Sequence, residues 1–337
     1  SLLPMVSGYL SRIFSRKLLL ALGFAVNAFA FLAIGFVDNI VVFALFLFIA
    51  GAGGSTYHPN GVSILAETCP TSRGQTLGLH QTGGAIGSVL APVVAGALVL
   101  SYAWRPTLML FAVPGIVLAV LLWFSISPEQ PRDKSSTKQA SRGRFSLEVY
   151  GSAMLLIIAG FIFALGQRGT DAFANQYFTY GRGIQNFLEA SLLFATLKVA
   201  GLFSGPICGR LSDIYNRKSV LIALVIVESV SLYAITVTPT MVLAVPCLIF
   251  GFASFGLLAV SEALLADVTP EEYRSMLFGA GVTASFAGSI VISPILGSIA
   301  DVYSFDVGFI LLSALMPLSI LFILKVKTKP AQQNKNV

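Results

Sequence analysis

The sequence predicts an all-α integral membrane protein made of two pseudo-symmetric helical bundles. Hydrophobic residues make up 56% of the 337-residue chain and charged residues 11%, and the mean hydropathy is +0.85. This composition lies far outside the usual range of soluble domains. Apolar windows of about 20 residues, the length of a spanning helix, follow one another along the chain. A ten-residue segment near the start also recurs in the second half.

Ten apolar windows predict the complete transmembrane helices. In order they cover residues 18–36, 40–66, 74–98, 104–127, 147–167, 187–209, 219–237, 240–266, 275–300 and 305–324. Residues 1–10 read as the end of a further helix. We therefore expect about ten complete helices and a partial one, with a first helix and most of a second absent from this chain.

The repeated segment runs from Gly8 to Lys17 and again from Gly209 to Lys218, 201 positions later. Other pairs keep an offset of 200 or 201: Glu67 and Asp267, Pro70 and Pro270, Arg73 and Arg274, Gly87 and Gly288, and Gly96 and Gly297. Both segments follow a helix of the same direction, which indicates parallel repeats. The predicted domains are an incomplete N-terminal bundle (1–127), a cytoplasmic linker (128–146), a C-terminal six-helix bundle (147–324) and a cytoplasmic tail (325–337).

The distribution of charge predicts the orientation in the membrane. Alternate loops, including the C-terminal tail, hold 17 of the 21 Lys and Arg residues, so the positive-inside rule places them in the cytoplasm and the protein in the cell membrane. This placement also argues against a nucleic-acid platform despite the net charge of +6. Cys69, Cys208 and Cys247 are isolated and lack metal-ligand spacing, so neither a disulfide framework nor a metal site is expected.

The repeated segment resembles the signature loop of the major facilitator superfamily, Gly-x-Leu-x-Asp-Arg-x-Gly-Arg-Arg/Lys. The second copy keeps Gly209, Leu211, Asp213, Arg217 and Lys218, and the first keeps Gly8, Leu10, Arg16 and Lys17. The first copy has Arg12 where the family has the acid. The resemblance implies twelve helices in two halves. It also implies that the acid helps to lock the cytoplasmic ends of the halves together, and with Arg12 in place of the acid we expect this lock to be lost in the first copy. The predicted conformational gate comprises Gly8, Arg16, Gly209, Asp213, Arg217 and Glu262, and for Glu262 a solvated side chain is the alternative.

Two shorter motifs refine the resemblance. Gly78, Gly87, Pro92 and Gly96 have the spacing of the superfamily's antiporter motif, for which ordinary small-residue packing is the alternative. The segments Tyr57-His58-Pro59 and 81–88 resemble the fosmidomycin-resistance type of drug exporter. These motifs imply a proton-coupled exporter.

Polar residues inside apolar windows are the candidates for the substrate or proton pathway. An ionisable group there costs about 2.5–3.5 kcal/mol on insertion scales, so each needs a reason. His58 and His80 are the only histidines and are predicted to lie at similar depth, where either can exchange a proton near neutral pH. The alternative is a structural hydrogen bond between helices. The other candidates are Tyr57, Asn60, Gln81, Gln167, Arg168 and Lys198.

Lys198 has two interpretations. The depths of Lys198 and Glu228 on successive helices predict an ion pair that holds the C-terminal bundle together. A proton-coupling or anion-binding role is the alternative.

The leading functional hypothesis is a secondary transporter that exports a small organic compound or drug by antiport with protons through alternating access. Proton-coupled uptake of a small metabolite or anion is the alternative, followed by a non-transporting membrane protein or an inactive fragment. The sequence lacks the paired carboxylates or Ser-His arrangement of an enzyme. The expected partners are a small-molecule substrate and the lipid bilayer, without nucleic acid. The protein is expected to be a monomer that needs no cofactor, with the proton as coupling ion.

Overall fold

The computed structural model describes residues 2–125, 147–185 and 187–327. Within these ranges the chain is helical and contains no strand, which confirms the predicted fold class. The first half forms α1 (Leu3–Leu10), α2 (Arg16–Ile34), α3 (Ile40–Gly54), α4 (Tyr57–Thr68), α5 (Arg73–Tyr102), α6 (Trp104–Leu110) and α7 (Ala112–Ser125). The second half forms α8 (Leu147–Gln176), α9 (Phe187–Val199), α10 (Gly201–Ile214), α11 (Arg217–Val237), α12 (Ala244–Val268), α13 (Glu271–Val302), α14 (Phe305–Leu315) and α15 (Leu318–Lys325).

Nine stretches of the described residues are long and apolar enough to cross a membrane. They are Arg16–Ile34, Ile40–Thr68, Trp104–Ser125, Tyr150–Gly181, Leu192–Ile214, Arg217–Val237, Ala244–Val268, Glu271–Val302 and Phe305–Lys325. Each overlaps one predicted window. The tenth window, 74–98, falls within α5, whose 30 residues extend about 45 Å at 1.5 Å per residue. The predicted linker (128–146) and residues 328–337 of the predicted tail lie outside the described residues.

The repeated segment ends in the same helix start in both copies. Ser15 caps α2 by accepting a hydrogen bond from the Leu18 backbone N–H at 3.2 Å. Asn216, which lies 201 positions later, caps α11 by accepting from the Lys218 N–H at 3.0 Å. A polar side chain at this position satisfies a backbone donor that the helix itself leaves unpaired. The two sequence copies therefore fold into equivalent turns.

The described residues divide into two compact units, and each contains parts of both sequence copies. One unit contains the described residues of Ser1–Thr68, Ile86–Gln139 and Glu271–Thr283. In it, α2 packs against α3 and α7. The crossing of α2 and α3 is close, because a β-carbon at Gly23 would collide with Thr56 and one at Gly53 with the Gly23 carbonyl.

The other unit contains the described residues of Cys69–Ala85, Ala140–Pro270 and Ala284–Val337. Its core is formed by α12, which packs against α10 and α11. After α8 the chain makes a π-helical turn, Tyr177–Gly181, where the fully buried Tyr177 ring stacks on Phe309 with centroids 4.4 Å apart. The Tyr177 hydroxyl donates to Asp306 at 2.6 Å, which fixes α14 to the end of α8.

Candidate functional site

The predicted pathway residues around His58 lie at an interruption in a spanning segment. The helix that begins at Ile40 stops at Gly54 and resumes at Tyr57, after a run of small residues, Gly51-Ala52-Gly53-Gly54, just before His58. The Tyr57 ring makes edge contacts with Phe24 (5.6 Å) and with His58 (5.3 Å). His58 itself is exposed. The interruption thus presents His58 beside an aromatic neighbour at the start of α4.

Asn60 turns away from this position and joins α4 to α1. It is fully buried, and its amide nitrogen donates to the Ser7 hydroxyl at 3.0 Å and to the Thr56 carbonyl at 2.8 Å. Both amide hydrogens already have protein acceptors, so only Oδ1, which has no hydrogen-bond partner among the described residues, is left for a further contact.

The predicted residues on α5 include a direct contact with α12. Gln81 is buried and donates from Nε2 to Glu262 Oε2 at 3.0 Å, while the neighbouring His80 is half-buried. Glu262 was expected to be either part of the gate or a solvated side chain. Its hydrogen bond to Gln81 and its partial burial argue against a freely solvated side chain, and its part in the gate stays a prediction.

Asp213 is the centre of an ionic network in the unit that contains α10, α12 and the first part of α5. Its two carboxylate oxygens accept from the Gly74 N–H at 3.0 Å and the Gln75 N–H at 2.9 Å, at the N-terminus of α5. Arg217 pairs with Asp213 and with Asp267, each at 2.7 Å, and Arg73 pairs with Asp267 at 2.8 Å. The carboxylate thus compensates both the unpaired N–H groups and the positive end of the α5 dipole.

The other compact unit holds the equivalent network from the first copy. Glu67 Oε1 forms ion pairs with Arg16 Nη1 at 2.9 Å and with Arg274 Nη1 at 3.1 Å. Both arginines are almost fully buried, and Arg16 also donates to Ser63 at 2.8 Å. Arg16, Glu67 and Arg274 therefore occupy the places of Arg217, Asp267 and Arg73. The constant sequence offset already paired these residues, although only Arg16 and Arg217 were predicted as gate residues.

The fourth place in the network has the opposite charge in the two copies. Arg12 stands where Asp213 stands, and it pairs with Glu272 in the first turn of α13 at 3.2 Å while lying 4.8 Å from the Tyr273 ring centroid. The acid of the family's lock is absent from the first copy, as the sequence indicated, but Arg12 still contacts the start of α13. Position 12 thus keeps a link to the start of α13 with the sign of its own charge reversed, through the Glu272 side chain and not through backbone N–H groups as at Asp213.

This exchange predicts that restoring the family's acid harms the protein. Arg12→Asp places a carboxylate beside Glu272, and we expect transport to fall by up to about fivefold, because exposed ion pairs are worth roughly 0–1 kcal/mol. Adding Glu272→Arg to Arg12→Asp restores the attraction and is expected to restore the wild-type rate. The measurement is the transport rate per amount of protein in membranes. A gain of activity in the Arg12→Asp single variant would contradict the exchange.

Glycines let the helices of both networks approach with their backbones in contact. A β-carbon would collide with the Ser275 carbonyl at Gly8 and with the Gly74 carbonyl at Gly209. Gly78 of the antiporter-like motif meets the Gly205 carbonyl in the same way. Gly87, by contrast, has nothing within 4 Å of its β-position. Pro92 and Gly96 of that motif lie in the part of α5 whose side chains the structure does not describe.

A second group of predicted residues forms a polar cluster within the C-terminal bundle. The expected ion pair between Lys198 and Glu228 is wrong, because Lys198 pairs with Asp171 of α8. Glu228 instead accepts from Gln167 Nε2 at 2.9 Å and from the Ser254 hydroxyl. Arg168 points the other way, with its guanidinium carbon 5.3 Å from the Phe286 ring centroid.

The chain matches a known protein family along its whole length. A family model described as Major Facilitator Superfamily matches residues 1–257 and 184–337, which together cover the chain. The chain belongs to the major facilitator superfamily. Members of this superfamily that resemble it include the Multidrug resistance protein MdtG of Enterobacter lignolyticus, which is 27% identical over 307 residues. That match covers 88% of this chain and 72% of the relative.

The Hippocampus abundant transcript 1 protein of Mus musculus is 30% identical over 184 residues. This match covers 54% of the chain and only 36% of the length of the mouse protein.

Solved structures of superfamily members share the fold. The E. coli fucose:proton symporter FucP has a TM-score of 0.76 at 16% identity, covering 97% of this chain and 88% of FucP. The human organic anion transporter MFSD10 has a TM-score of 0.73 at 13% identity, covering 96% of this chain and 80% of MFSD10. At these identities the likeness concerns the fold alone.

Proposed function

We propose that this superfamily member is a secondary active transporter that exports small organic compounds in exchange for protons by alternating access. The observation that carries the proposal is the pair of equivalent ionic networks. Each joins helix ends from both sequence copies through ion pairs whose outer members reach water. A pair with a partly exposed member costs less to break than a fully buried one, because water can solvate the separated charges. Alternating access requires contacts of this kind between repeated halves.

Export of drug-like compounds is supported by the relative named Multidrug resistance protein and by the spacing of the antiporter-like motif on α5. The resemblance of residues 57–59 and 81–88 to the fosmidomycin-resistance type points the same way. We place the protein in the cell membrane as a monomer, with the basic loops and the C-terminus in the cytoplasm. His58, His80, Gln167, Arg168 and Lys198 are our candidates for the substrate or proton pathway.

The direction of transport can be tested with ethidium and fosmidomycin as probes. The chain is expressed in a bacterial strain without its own ethidium exporters, and everted membrane vesicles are energised so that their interior is acidic. Export predicts that ethidium accumulates inside the vesicles, that its addition releases protons from the lumen, and that a protonophore abolishes both effects. Raised resistance of the intact cells to either probe is the accompanying expectation.

An Asp213→Ala variant at equal membrane abundance is the control for passive dye binding. Proton-coupled uptake, the competing function, predicts that the same gradient drives a probe out of everted vesicles. Vesicles that move none of the probes, with wild type and Asp213→Ala behaving alike, would contradict drug export.

A further inference from the structure

A carboxyl group in the middle of the C-terminal bundle lies outside the networks described above. Glu228 is on α11, 11 residues from Arg217 and nine from Val237, the two ends of the helix. It is fully buried. Its Oε1 accepts from Gln167 of α8 and Ser254 of α12, and its Oε2 has no hydrogen-bond partner among the described residues. Three helices therefore meet at one buried acid.

The partners of Glu228 do not compensate a negative charge. An amide and a hydroxyl are neutral donors, and the cation of this region, Lys198, pairs with Asp171 one turn beyond Gln167 on α8. Burying an unpaired carboxylate is far more costly than burying a neutral carboxyl group. The Lys198 and Asp171 charges balance each other, so nothing in the cluster balances an ionised Glu228.

The acidic side chains that the structure describes on the neighbouring helices have partners of their own. Asp171 is itself paired with Lys198 and brings no positive charge to Glu228. On the helices packed against α11, Asp213 binds Arg217, Glu262 binds Gln81 and Asp306 binds Tyr177. Cys208 of α10 and Cys247 of α12 are buried thiols, and Lys325 lies at the end of α15.

We propose that Glu228 is a proton-binding site of the transport cycle. The hydrogen bonds from Gln167 and Ser254 to its carboxyl group then change in strength when the proton binds or leaves. This inference rests on the proposed proton coupling and names a residue for it. When the O–H bond of the carboxyl group breaks, the proton leaves to water and the electron pair stays on the carboxylate. Hydrogen bonds to a carboxylate are about twice as strong as those to a neutral carboxyl. Loss of the proton thus draws α8 and α12 toward α11, and its return loosens them.

Infrared spectroscopy tests the proton directly and needs no substrate. The full chain is reconstituted in phosphatidylethanolamine and phosphatidylglycerol vesicles, and the carbonyl stretching band of protonated carboxyl groups is recorded across pH. We expect a band in the wild type that persists above the pH range in which exposed carboxyls ionise. It should be missing in Glu228→Gln and retained in Glu189→Gln, which removes an exposed glutamate on α9. An identical band in wild type and Glu228→Gln would overturn the proposal.

Ethidium flux separates coupling from folding in the same vesicles. Glu228→Gln keeps the hydrogen-bonding shape of a protonated glutamate, so ethidium exchange between equal concentrations should continue while accumulation driven by a proton gradient is lost. Glu189→Gln should retain both. Gradient-driven accumulation at the wild-type level in Glu228→Gln would refute the site. If the wild type moves no ethidium, the proposed efflux of this probe fails, and the infrared band still decides whether Glu228 binds the proton.

Discussion

Gly78→Ala is expected to lower the transport rate by about fivefold to 150-fold, the range that corresponds to 1–3 kcal/mol. The added methyl group would collide with the Gly205 carbonyl, and the β-position of Gly205 in turn faces the Gly78 carbonyl. The collision partner is backbone, which cannot rotate out of the way as a side chain can. Overpacking of this kind typically costs about 1–3 kcal/mol. The measurement is ethidium accumulation in everted vesicles, normalised to the amount of protein in the membrane.

Gly87→Ala is the matched control, because it makes the same chemical change on the same helix and in the same motif. Its β-carbon meets nothing within 4 Å, so alanine should leave the rate within about twofold, as expected for a substitution that costs less than 0.5 kcal/mol. Equal losses in the two variants would show that the motif acts through something other than the contact between α5 and α10. Reduced membrane abundance of Gly78→Ala at an unchanged rate per molecule would also contradict a role in the transport step.

The sequence was sufficient for the features of this protein that depend on local chain properties. Hydropathy and the length needed to cross a bilayer located the spanning segments without knowledge of any contact between helices. The constant offset between repeats also predicted which residues are equivalent in three dimensions. It paired Glu67 with Asp267 and Arg73 with Arg274, and these residues hold equivalent places in the two ionic networks. Repeats that fold alike place equivalent residues in equivalent surroundings, so this kind of pairing carries tertiary information.

The contacts that could not be predicted from the sequence depend on which side of its helix each side chain faces. Counting residues from the helix ends gives the depth of a side chain, and by depth Lys198 and Glu228 were suitable partners. Depth says nothing about which side of the helix a residue faces, and Lys198 faces Asp171 of α8 instead. The pairing of Arg12 with Glu272 was hidden for a related reason. A comparison with the family motif shows that an acid is missing at position 12, but not that one has appeared 260 residues away.

Asp213→Ala and Arg12→Ala are expected to differ strongly, although they occupy the same place in the two copies. Asp213 makes two hydrogen bonds to the α5 N-terminus and an ion pair with Arg217, and the Asp213 and Arg217 side chains are only 12% and 14% exposed. Hydrogen bonds to charged groups are worth about 1.5–3 kcal/mol each, so we expect transport to fall by about tenfold or more in Asp213→Ala, since 1.4 kcal/mol is tenfold. Asp213→Asn, which keeps one acceptor, should be intermediate.

Arg12→Ala removes a contact that faces water, because the Arg12 and Glu272 side chains are 32% and 23% exposed. Exposed pairs contribute roughly 0–1 kcal/mol, so its transport rate should stay within about fivefold of the wild type. Transport rates of the two alanine variants at equal membrane abundance, measured at low and high salt, distinguish the networks, since screening weakens exposed pairs more than buried ones. Losses of similar size in both variants would mean that burial does not set the strength of these links. The expected asymmetry means that Asp213, which binds backbone as well as arginine, holds its helix end more firmly than Arg12 does.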